Sequence, residues 1–123
     1  MRHFIKVMKA MSDPNRVKIM KMLQHRVMCV CEIQAAIDIS QSSVSKHLKI
    51  LEEAGLVTFH KKGLWVNYSL ADGNDNPYAA TIMGQLKHWL ENDPDIKELC
   101  NRLPGIQREL ICTKKMHRGQ VSV

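Results

Sequence analysis

Residues 40–55, SQSSVSKHLKILEEAG, decide the expected fold. Ser40 suits an N-cap, because its hydroxyl can accept from an otherwise unpaired backbone N–H in the first helical turn. Gly55 suits the position just after a helix, because glycine enters the left-handed conformation without steric cost. The apolar residues that recur at helical spacing, and so predict a buried stripe, are Val44, Leu48 and Leu51. The stretch is therefore predicted to be an amphipathic helix with defined ends.

The remaining faces of this predicted helix are polar and partly cationic. They carry short hydrogen-bonding groups near the N-terminal turn, with cations behind them: Gln41, Ser42, Ser43, Ser45, Lys46, His47 and Lys49. Such groups suit base edges and backbone phosphates, so a recognition helix for a DNA groove is the favoured interpretation. An ordinary amphipathic surface helix is the alternative, and the flanking stretches argue against it.

The stretch before residue 40 predicts a second helix and a tight turn. In residues 27–37, VMCVCEIQAAI, one helical face carries Val30, Ile33 and Ile37. Residues 38–40 leave room only for a tight turn before the next helix. Helix, short turn and helix form the helix-turn-helix arrangement, whose second helix enters the major groove.

The stretch after Gly55 predicts a β-hairpin. Residues 56–60 and 64–69 alternate apolar and polar side chains, and Lys61-Lys62-Gly63 joins them. A hairpin directly after a recognition helix forms a wing, and a lysine tip suits backbone phosphates beside the groove. Trp65 and Tyr68 fall at strand spacing, so packing is the favoured interpretation over stacking on a ligand.

Periodic apolar residues predict four further helices, over residues 2–11, from Pro14 to about residue 25, over 78–91, and after Pro94. The cations Arg16, Lys18 and Lys21 are predicted to lie on solvated faces, with phosphate contact as the alternative, and the eight methionines are predicted to fill the core. The expected fold is mostly α with a small β-hairpin, an α+β winged helix-turn-helix over residues 1–112. Residues 113–123 are predicted to form a basic, flexible tail.

The composition fits one globular domain of 123 residues, with 45% hydrophobic and 24% charged residues. No apolar run approaches the roughly 18 residues of a membrane span, and interleaved cations argue against a signal peptide. A cytoplasmic protein with reduced cysteines and no membrane partner is expected.

The net charge is +6, and residues 1–26 hold seven cations against Asp13 alone. Such a balance fits a polyanionic partner.

Together these elements resemble the ArsR/SmtB family of winged-helix repressors. The matching stretches are SDPNRVKIMKML at 12–23, CVCEIQAAIDISQSSVSKHLKILEEAGLV at 29–57 and GLWVNYSL at 63–70. The resemblance implies a homodimer, built by the first helix and the last long helix, on a pseudo-palindromic double-stranded operator. By position it implies Ser40 to Lys49 as the residues that contact DNA from the helix, and Lys61 and Lys62 as wing contacts. It also implies release from DNA when an inducer binds.

Cys29-Val30-Cys31 resembles the CVC core of the arsenic-sensing branch, in which three thiolates hold trivalent arsenic or antimony. Soft thiolates prefer such thiophilic centres. Side chains two residues apart on an α-helix point about 200° apart, so both thiols can bind one ion only where the backbone is extended or unwound. Inducer binding is therefore predicted to strain the helix that leads into the recognition helix.

The identity of the third sulfur ligand is not determined, because Gln34 occupies the position that the arsenic-sensing branch often uses for it. A third thiolate would come from Cys100 or Cys112, or the sensor would centre on that pair. Cys100 lies on an apolar stripe, where a buried thiol is commonly a small hydrophobe, whereas Cys112 lies near a polar tail. The expected inducer is As(III) or Sb(III), with these four cysteines as candidate ligands and no catalytic cofactor.

Three other functions compete with this one. A repressor of the same fold could sense oxidants or reactive sulfur through a Cys100–Cys112 disulfide. A small thiol enzyme is disfavoured, because the sequence lacks an anion-binding loop, a CxxC motif and paired catalytic groups. A protein–protein module is disfavoured by the polar helix face and the lysine wing. The zinc-sensing pattern of the family is not matched, since His88 and Glu91 lack partners, and the six histidines are predicted to be surface or capping residues.

Overall fold

A computed structural model describes residues 1–74 and 76–107. In chain order its elements are α1 (Arg2–Ala10), α2 (Pro14–Leu23), β1 (Met28–Cys29), α3 (Val30–Ile37), α4 (Gln41–Glu53), β2 (Val57–Lys62), β3 (Trp65–Leu70), α5 (Pro77–Leu86), α6 (Pro94–Arg102) and a 3-10 turn (Leu103–Gly105). The strands form an antiparallel sheet in the order β1-β3-β2. The fold is the predicted one, mostly helical with a small hairpin in winged helix-turn-helix order.

Helix α4 has the predicted caps at both ends. The Ser43 N–H donates to Ser40 Oγ at 3.2 Å. At the other end Gly55 has a φ of 77°, and its N–H donates to the Glu52 carbonyl at 2.9 Å. The Leu56 N–H donates to the Leu51 carbonyl at 2.9 Å, which completes a Schellman motif. The predicted apolar stripe is fully buried: Val44, Leu48 and Leu51.

Helix α3 begins three residues later than predicted. Met28 and Cys29 form β1, which pairs with Tyr68 and Asn67 of β3, and the helix starts at Val30. Cys29 is the N-cap in extended conformation, with φ −86° and ψ 168°. Apolar periodicity could not reveal this, because a two-residue strand is stabilised by its partner rather than by its own pattern. The prediction that both cysteines lie within one helix is therefore wrong.

The wing is a hairpin with a two-residue loop. Lys62 pairs with Trp65 and Lys61 with Val66, so both lysines end β2 and the loop consists of Gly63 and Leu64. Gly63 has a φ of 63°, which glycine adopts without strain and which suits a tight hairpin turn. The loop therefore starts two residues later than the predicted Lys61-Lys62-Gly63 loop and is one residue shorter.

Helix α5 ends at Leu86, five residues before the predicted end at residue 91, and a buried lysine accounts for the difference. Lys21 is 1% exposed, so its predicted solvated position is wrong. Its ammonium donates to the carbonyls of Leu86 and Trp89, at 2.9 and 3.0 Å. The Leu86 carbonyl also accepts from the Trp89 N–H at 3.3 Å, and Leu90 then turns the chain with a φ of 63°.

One hydrophobic core contains residues from all six helices and from the sheet. Leu99 is the residue that α6 contributes. Of the seven methionines in the described residues, four are buried in it, Met20, Met22, Met28 and Met83, whereas Met1 and Met8 are exposed. Met11 is half-buried and packs against the core, so core filling accounts for five of the seven methionines among the described residues. Among the described helices, none has the length and apolar character needed to cross a bilayer.

Candidate functional site

The exposed face of α4 brings the predicted DNA-contacting residues together. Gln41, Ser42, Ser45, Lys46 and Lys49 are exposed, and they lie on the side opposite the buried stripe. The two half-buried members of the predicted set on this helix are Ser43 and His47. The face carries donors, acceptors and cations over its first three turns, which suits base edges and phosphates.

The serines at the start of α4 form their own hydrogen-bond network. Ser40 Oγ lies 2.8 Å from Ser43 Oγ and 3.2 Å from Ser42 Oγ, in addition to accepting the Ser43 N–H. Ser40 and Ser43 are thus engaged in fixing the helix start. They orient the first turn, and Gln41 and Ser45 are the better placed to reach a ligand.

His47 is joined to α2 by an arginine that the helical pattern of the sequence places on a solvated face. Arg16 Nη1 lies 3.2 Å from His47 Nδ1, while Arg16 Nε donates to the Ala10 carbonyl at 2.7 Å. Arg16 Nη2 also donates to the Lys9 carbonyl at 3.1 Å. The prediction for Arg16 is therefore wrong, and the available signal was its place in the first turn after the Asp13 N-cap, beside the end of α1.

The wing presents cations at its end. Lys61 and Lys62 are exposed, and Leu64 at the tip is 98% exposed. Tyr68 is half-buried and its ring centroid lies 5.7 Å from that of Phe59 on the paired strand. The structural interpretation of Tyr68 is thereby confirmed, since the ring packs across the sheet.

Cys29 and Cys31 line a cavity of about 220 Å³ that lies between the recognition helix and the wing. Its other lining residues are Val30, Gln41, Leu64, Trp65 and Val66. Trp65, which was predicted to be structural, therefore borders the thiols. Because Cys29 is the extended N-cap of α3 and Cys31 lies in its first turn, both residues line one cavity while the helix stays wound.

The Cys29 thiol is held in its protonated form. Burial raises its pKa from 9.0 to about 11, and the nearby charge of Glu32 acts in the same direction. Glu32 is fixed in turn, because its carboxylate accepts from the Cys29 N–H at 3.0 Å and pairs with Arg26 at 3.2 Å. A soft ion must therefore displace the proton from Cys29 to gain a thiolate.

Cys100 lies in a different cavity, of about 310 Å³, next to α2. Its Sγ lies 3.3 Å from His25 Nε2, and Lys21 and Glu91 line the same cavity. Burial raises the pKa of the Cys100 thiol. Cys112 falls outside the described residues, as do the predicted tail at 113–123 and the boundary at residue 112.

The cysteines thus do not all meet at one place. Within residues 1–74 and 76–107, no three His, Cys, Asp or Glu side chains are arranged to hold a metal ion. Cys29 and Cys31 both line one cavity, and Cys100 lines another. A third soft ligand for the first cavity must come from a residue or chain outside that set.

Comparison with known proteins identifies the family. The model for "Bacterial regulatory protein, arsR family" matches residues 13–58. The arsenical resistance operon repressor of Bacillus subtilis is 38% identical over 77 residues, which cover 62% of this chain and 73% of that protein. A transcriptional repressor SmtB homolog of Synechocystis is 42% identical over 65 residues, which cover 53% of this chain and 49% of that protein.

A solved structure agrees with the fold. HlyU from Vibrio cholerae superimposes with a TM-score of 0.61 at 28% identity, over 73% of this chain and 95% of that one. The relatives include both an arsenical repressor and an SmtB homolog, so they define the family without fixing an inducer. The chain belongs to the arsR family of winged helix-turn-helix transcriptional regulators.

Proposed function

We propose that the protein is a cytoplasmic, homodimeric repressor that binds operator DNA through α4 and the wing and leaves it when As(III) or Sb(III) binds Cys29 and Cys31. The observation that carries the proposal is the shared cavity, which two thiols line together with Gln41 of the recognition helix and Trp65 of the wing. An ion held there touches the elements on both sides of the DNA-binding surface.

The proposed chemistry is ligand exchange without a change of oxidation state. Each thiol that reaches arsenous acid, As(OH)₃, replaces one hydroxyl, so one As–S bond forms, one As–O bond breaks and one water leaves. Two such exchanges use Cys29 and Cys31, and a third uses Cys112 of the same chain, or Cys100 or Cys112 of the partner chain. The protonated state of Cys29 suits this exchange, because the thiol proton leaves with the hydroxyl as water.

Release of DNA follows from the position of the cavity rather than from unwinding of α3. Cys29 and Cys31 would hold the ion, and its binding would favour the arrangement of the cavity walls in which a third thiol also reaches it. Gln41 is the first residue of α4, and Trp65 begins β3, so any shift of either wall changes the angle between recognition helix and wing.

The proposed homodimer is supported by an exposed apolar surface on α1 and α5. Phe4, Ile5 and Met8 of α1 are about two-fifths exposed, as is Tyr78 of α5. The rings of Phe4 and Tyr78 meet edge-to-face with centroids 5.5 Å apart. An apolar patch of this kind is typical of a protein interface.

Fluorescence anisotropy on duplex DNA from upstream of the gene tests the proposal. Arsenite, antimonite, zinc and a mild oxidant are titrated separately into the reduced protein bound to this DNA. We expect near-stoichiometric release by arsenite or antimonite, and loss of that response in Cys29→Ser and Cys31→Ser. Both variants should still bind DNA. Release by oxidant alone would reject the metalloid mechanism, and failure to bind DNA would reject the repressor itself.

A second candidate inducer is an oxidant or reactive sulfur species acting on Cys100. The observation that favours it is the 3.3 Å contact between Cys100 Sγ and His25 Nε2 at an open cavity, where an imidazole can take the thiol proton. Oxidation of Cys100 and Cys112 to a disulfide would give two protons and two electrons to the oxidant. Loss of oxidant-driven release in Cys100→Ser, with arsenite having no effect on wild type, would establish this alternative.

A further inference from the structure

The Arg16 guanidinium forms its contacts with other parts of the protein. Its Nε donates to the Ala10 carbonyl at 2.7 Å and its Nη2 to the Lys9 carbonyl at 3.1 Å, which fixes the fork against the C-terminal end of α1. The third nitrogen, Nη1, lies 3.2 Å from Nδ1 of His47 in α4. A side chain held at two points has little freedom left, so its third contact is directed at one place.

The chemistry of this contact fixes the protonation pattern of the imidazole. A guanidinium has donors and no acceptor, so Nδ1 of His47 must accept. A neutral imidazole that accepts at Nδ1 carries its proton at Nε2. The ring nitrogen that remains for a ligand is therefore a donor, and His47 lies within the surface proposed to contact DNA.

We infer that Arg16 is a positioning residue for DNA recognition, which holds His47 in the Nε2–H tautomer and aims that N–H at an acceptor atom of the operator. This inference rests on the proposed function, since it assigns His47 a partner on DNA. The acceptors available in the major groove are guanine O6 and N7, adenine N7 and thymine O4, with phosphate oxygens at its edge. The exocyclic amines of cytosine and adenine are donors, and His47 held in this way cannot pair with them.

The neighbourhood of the pair fits this role. The Asp13 carboxylate caps α2 by accepting from the Asn15 and Arg16 N–H groups, at 2.8 and 3.3 Å. The cap therefore fixes the backbone from which Arg16 extends. His47 is half-buried and its Nδ1 faces Arg16, so Nε2 is the ring nitrogen that this contact leaves for a ligand.

Nuclear magnetic resonance tests the geometry without any DNA. Long-range ¹H–¹⁵N spectra of the full chain, recorded at a pH where His47 is neutral, report which ring nitrogen carries the proton. The His47 signals are those that disappear in His47→Gln. We expect His47 to be in the Nε2–H tautomer alone, and Arg16→Lys to give a mixture of the two tautomers. A proton on Nδ1 in the wild-type protein would overturn the inference.

DNA binding tests the consequence through a double-mutant cycle on the upstream duplex. Arg16→Lys keeps the charge but cannot make three directed bonds, so we expect about a five- to tenfold loss of affinity, the size of one hydrogen bond. His47→Ala should lose about as much, and the double variant no more than either alone. In His47→Gln, whose amide supplies its own donor, Arg16→Lys should change the affinity less than twofold.

The salt dependence separates positioning from a direct phosphate contact. Arg16→Lys should leave the slope of log affinity against log salt unchanged, because no phosphate contact is lost. Lys49→Ala, on the exposed face of α4, is the matched control and should add fully to Arg16→Lys. Additive losses for Arg16 and His47, or a flatter slope in Arg16→Lys, would overturn the inference. If wild type fails to bind DNA, the proposed function fails, while the tautomer measurement still decides the geometry.

Discussion

Lys21 Nζ lies 2.7 Å from Glu91 Oε1, and the same ammonium donates to the carbonyls of Leu86 and Trp89. The buried Lys21 side chain, which is 1% exposed, thus caps the C-terminal end of α5. This contact joins α2, which carries Arg16, to the helix that bears part of the proposed dimer surface. It also explains why α5 ends where it does.

We expect Lys21→Met to destabilise the protein strongly. Methionine fills similar volume but removes the buried ammonium from its three acceptors, the Leu86 and Trp89 carbonyls and the Glu91 carboxylate, which costs about 2–4 kcal/mol. Urea denaturation measures the change. Lys18→Met, a neighbouring and more exposed lysine of α2, is the control and should change stability by less than about 0.5 kcal/mol. An equal effect of both variants would contradict the role given to Lys21.

The ion pair between Lys21 and Glu91 makes the stability of the fold depend on pH. The hydrogen bond from Lys21 lowers the pKa of Glu91 below its ordinary value of 4.5. A carboxylate whose folded-state pKa is lowered stabilises the fold above its unfolded value and loses that contribution as the pH falls through the folded value. Glu91→Gln should therefore lower the melting temperature at pH 7 and have little effect near pH 3. A constant difference across that range would show that the charge is unimportant.

The sequence predicted those elements whose signals are local. The Ser40 and Gly55 caps and the Val44, Leu48 and Leu51 stripe of α4 are all found, because a helix with its own caps and apolar period needs little from its neighbours. The two thiols of Cys29 and Cys31 were also identified as a pair, and they do line one cavity.

What the sequence could not predict depends on contacts between distant parts of the chain. Strand β1 exists because Met28 pairs with Tyr68, forty residues away in sequence. Lys21 is buried because the end of α5 supplies carbonyls for it, although a lysine is ordinarily assigned to the surface. Arg16 faces His47 for the same reason. No pattern within either segment carries that information.

Cys29 should be the less reactive of the two cavity thiols at neutral pH. Burial raises its pKa from 9.0 to about 11, and only the thiolate is nucleophilic. Peptide mapping after brief iodoacetamide treatment should show Cys31 modified first, with the Cys29 rate still rising beyond pH 9. Because the folded pKa is raised, this thiol's contribution to stability is complete below pH 9 and is lost between 9 and about 11. Rapid modification of Cys29 at pH 7 would contradict this environment.

The proposed dimer predicts a matched pair of outcomes for two exposed apolar residues. Ile5→Glu places a charge in the α1 and α5 patch, and we expect the mass measured by light scattering to fall by half at micromolar concentration. Leu64→Glu is the control, since that side chain is 98% exposed but lies at the tip of the wing. It should leave the mass unchanged. A monomeric wild-type protein, or dissociation in both variants, would contradict this surface as the interface.

The two wing lysines should contribute unequally to DNA binding. Lys61 and Lys62 are consecutive residues of β2, and successive side chains on a strand point to opposite faces of the sheet. Only one of them can face the phosphates on the side of α4, and replacing it with glutamine should reduce the salt slope by about 0.9, the value for one phosphate contact. The other substitution, and the control Lys97→Gln on α6, should change the slope by much less. Equal reductions for both wing lysines would mean that the strand twists or opens at Gly63 on DNA, so that both ammonium groups reach the backbone.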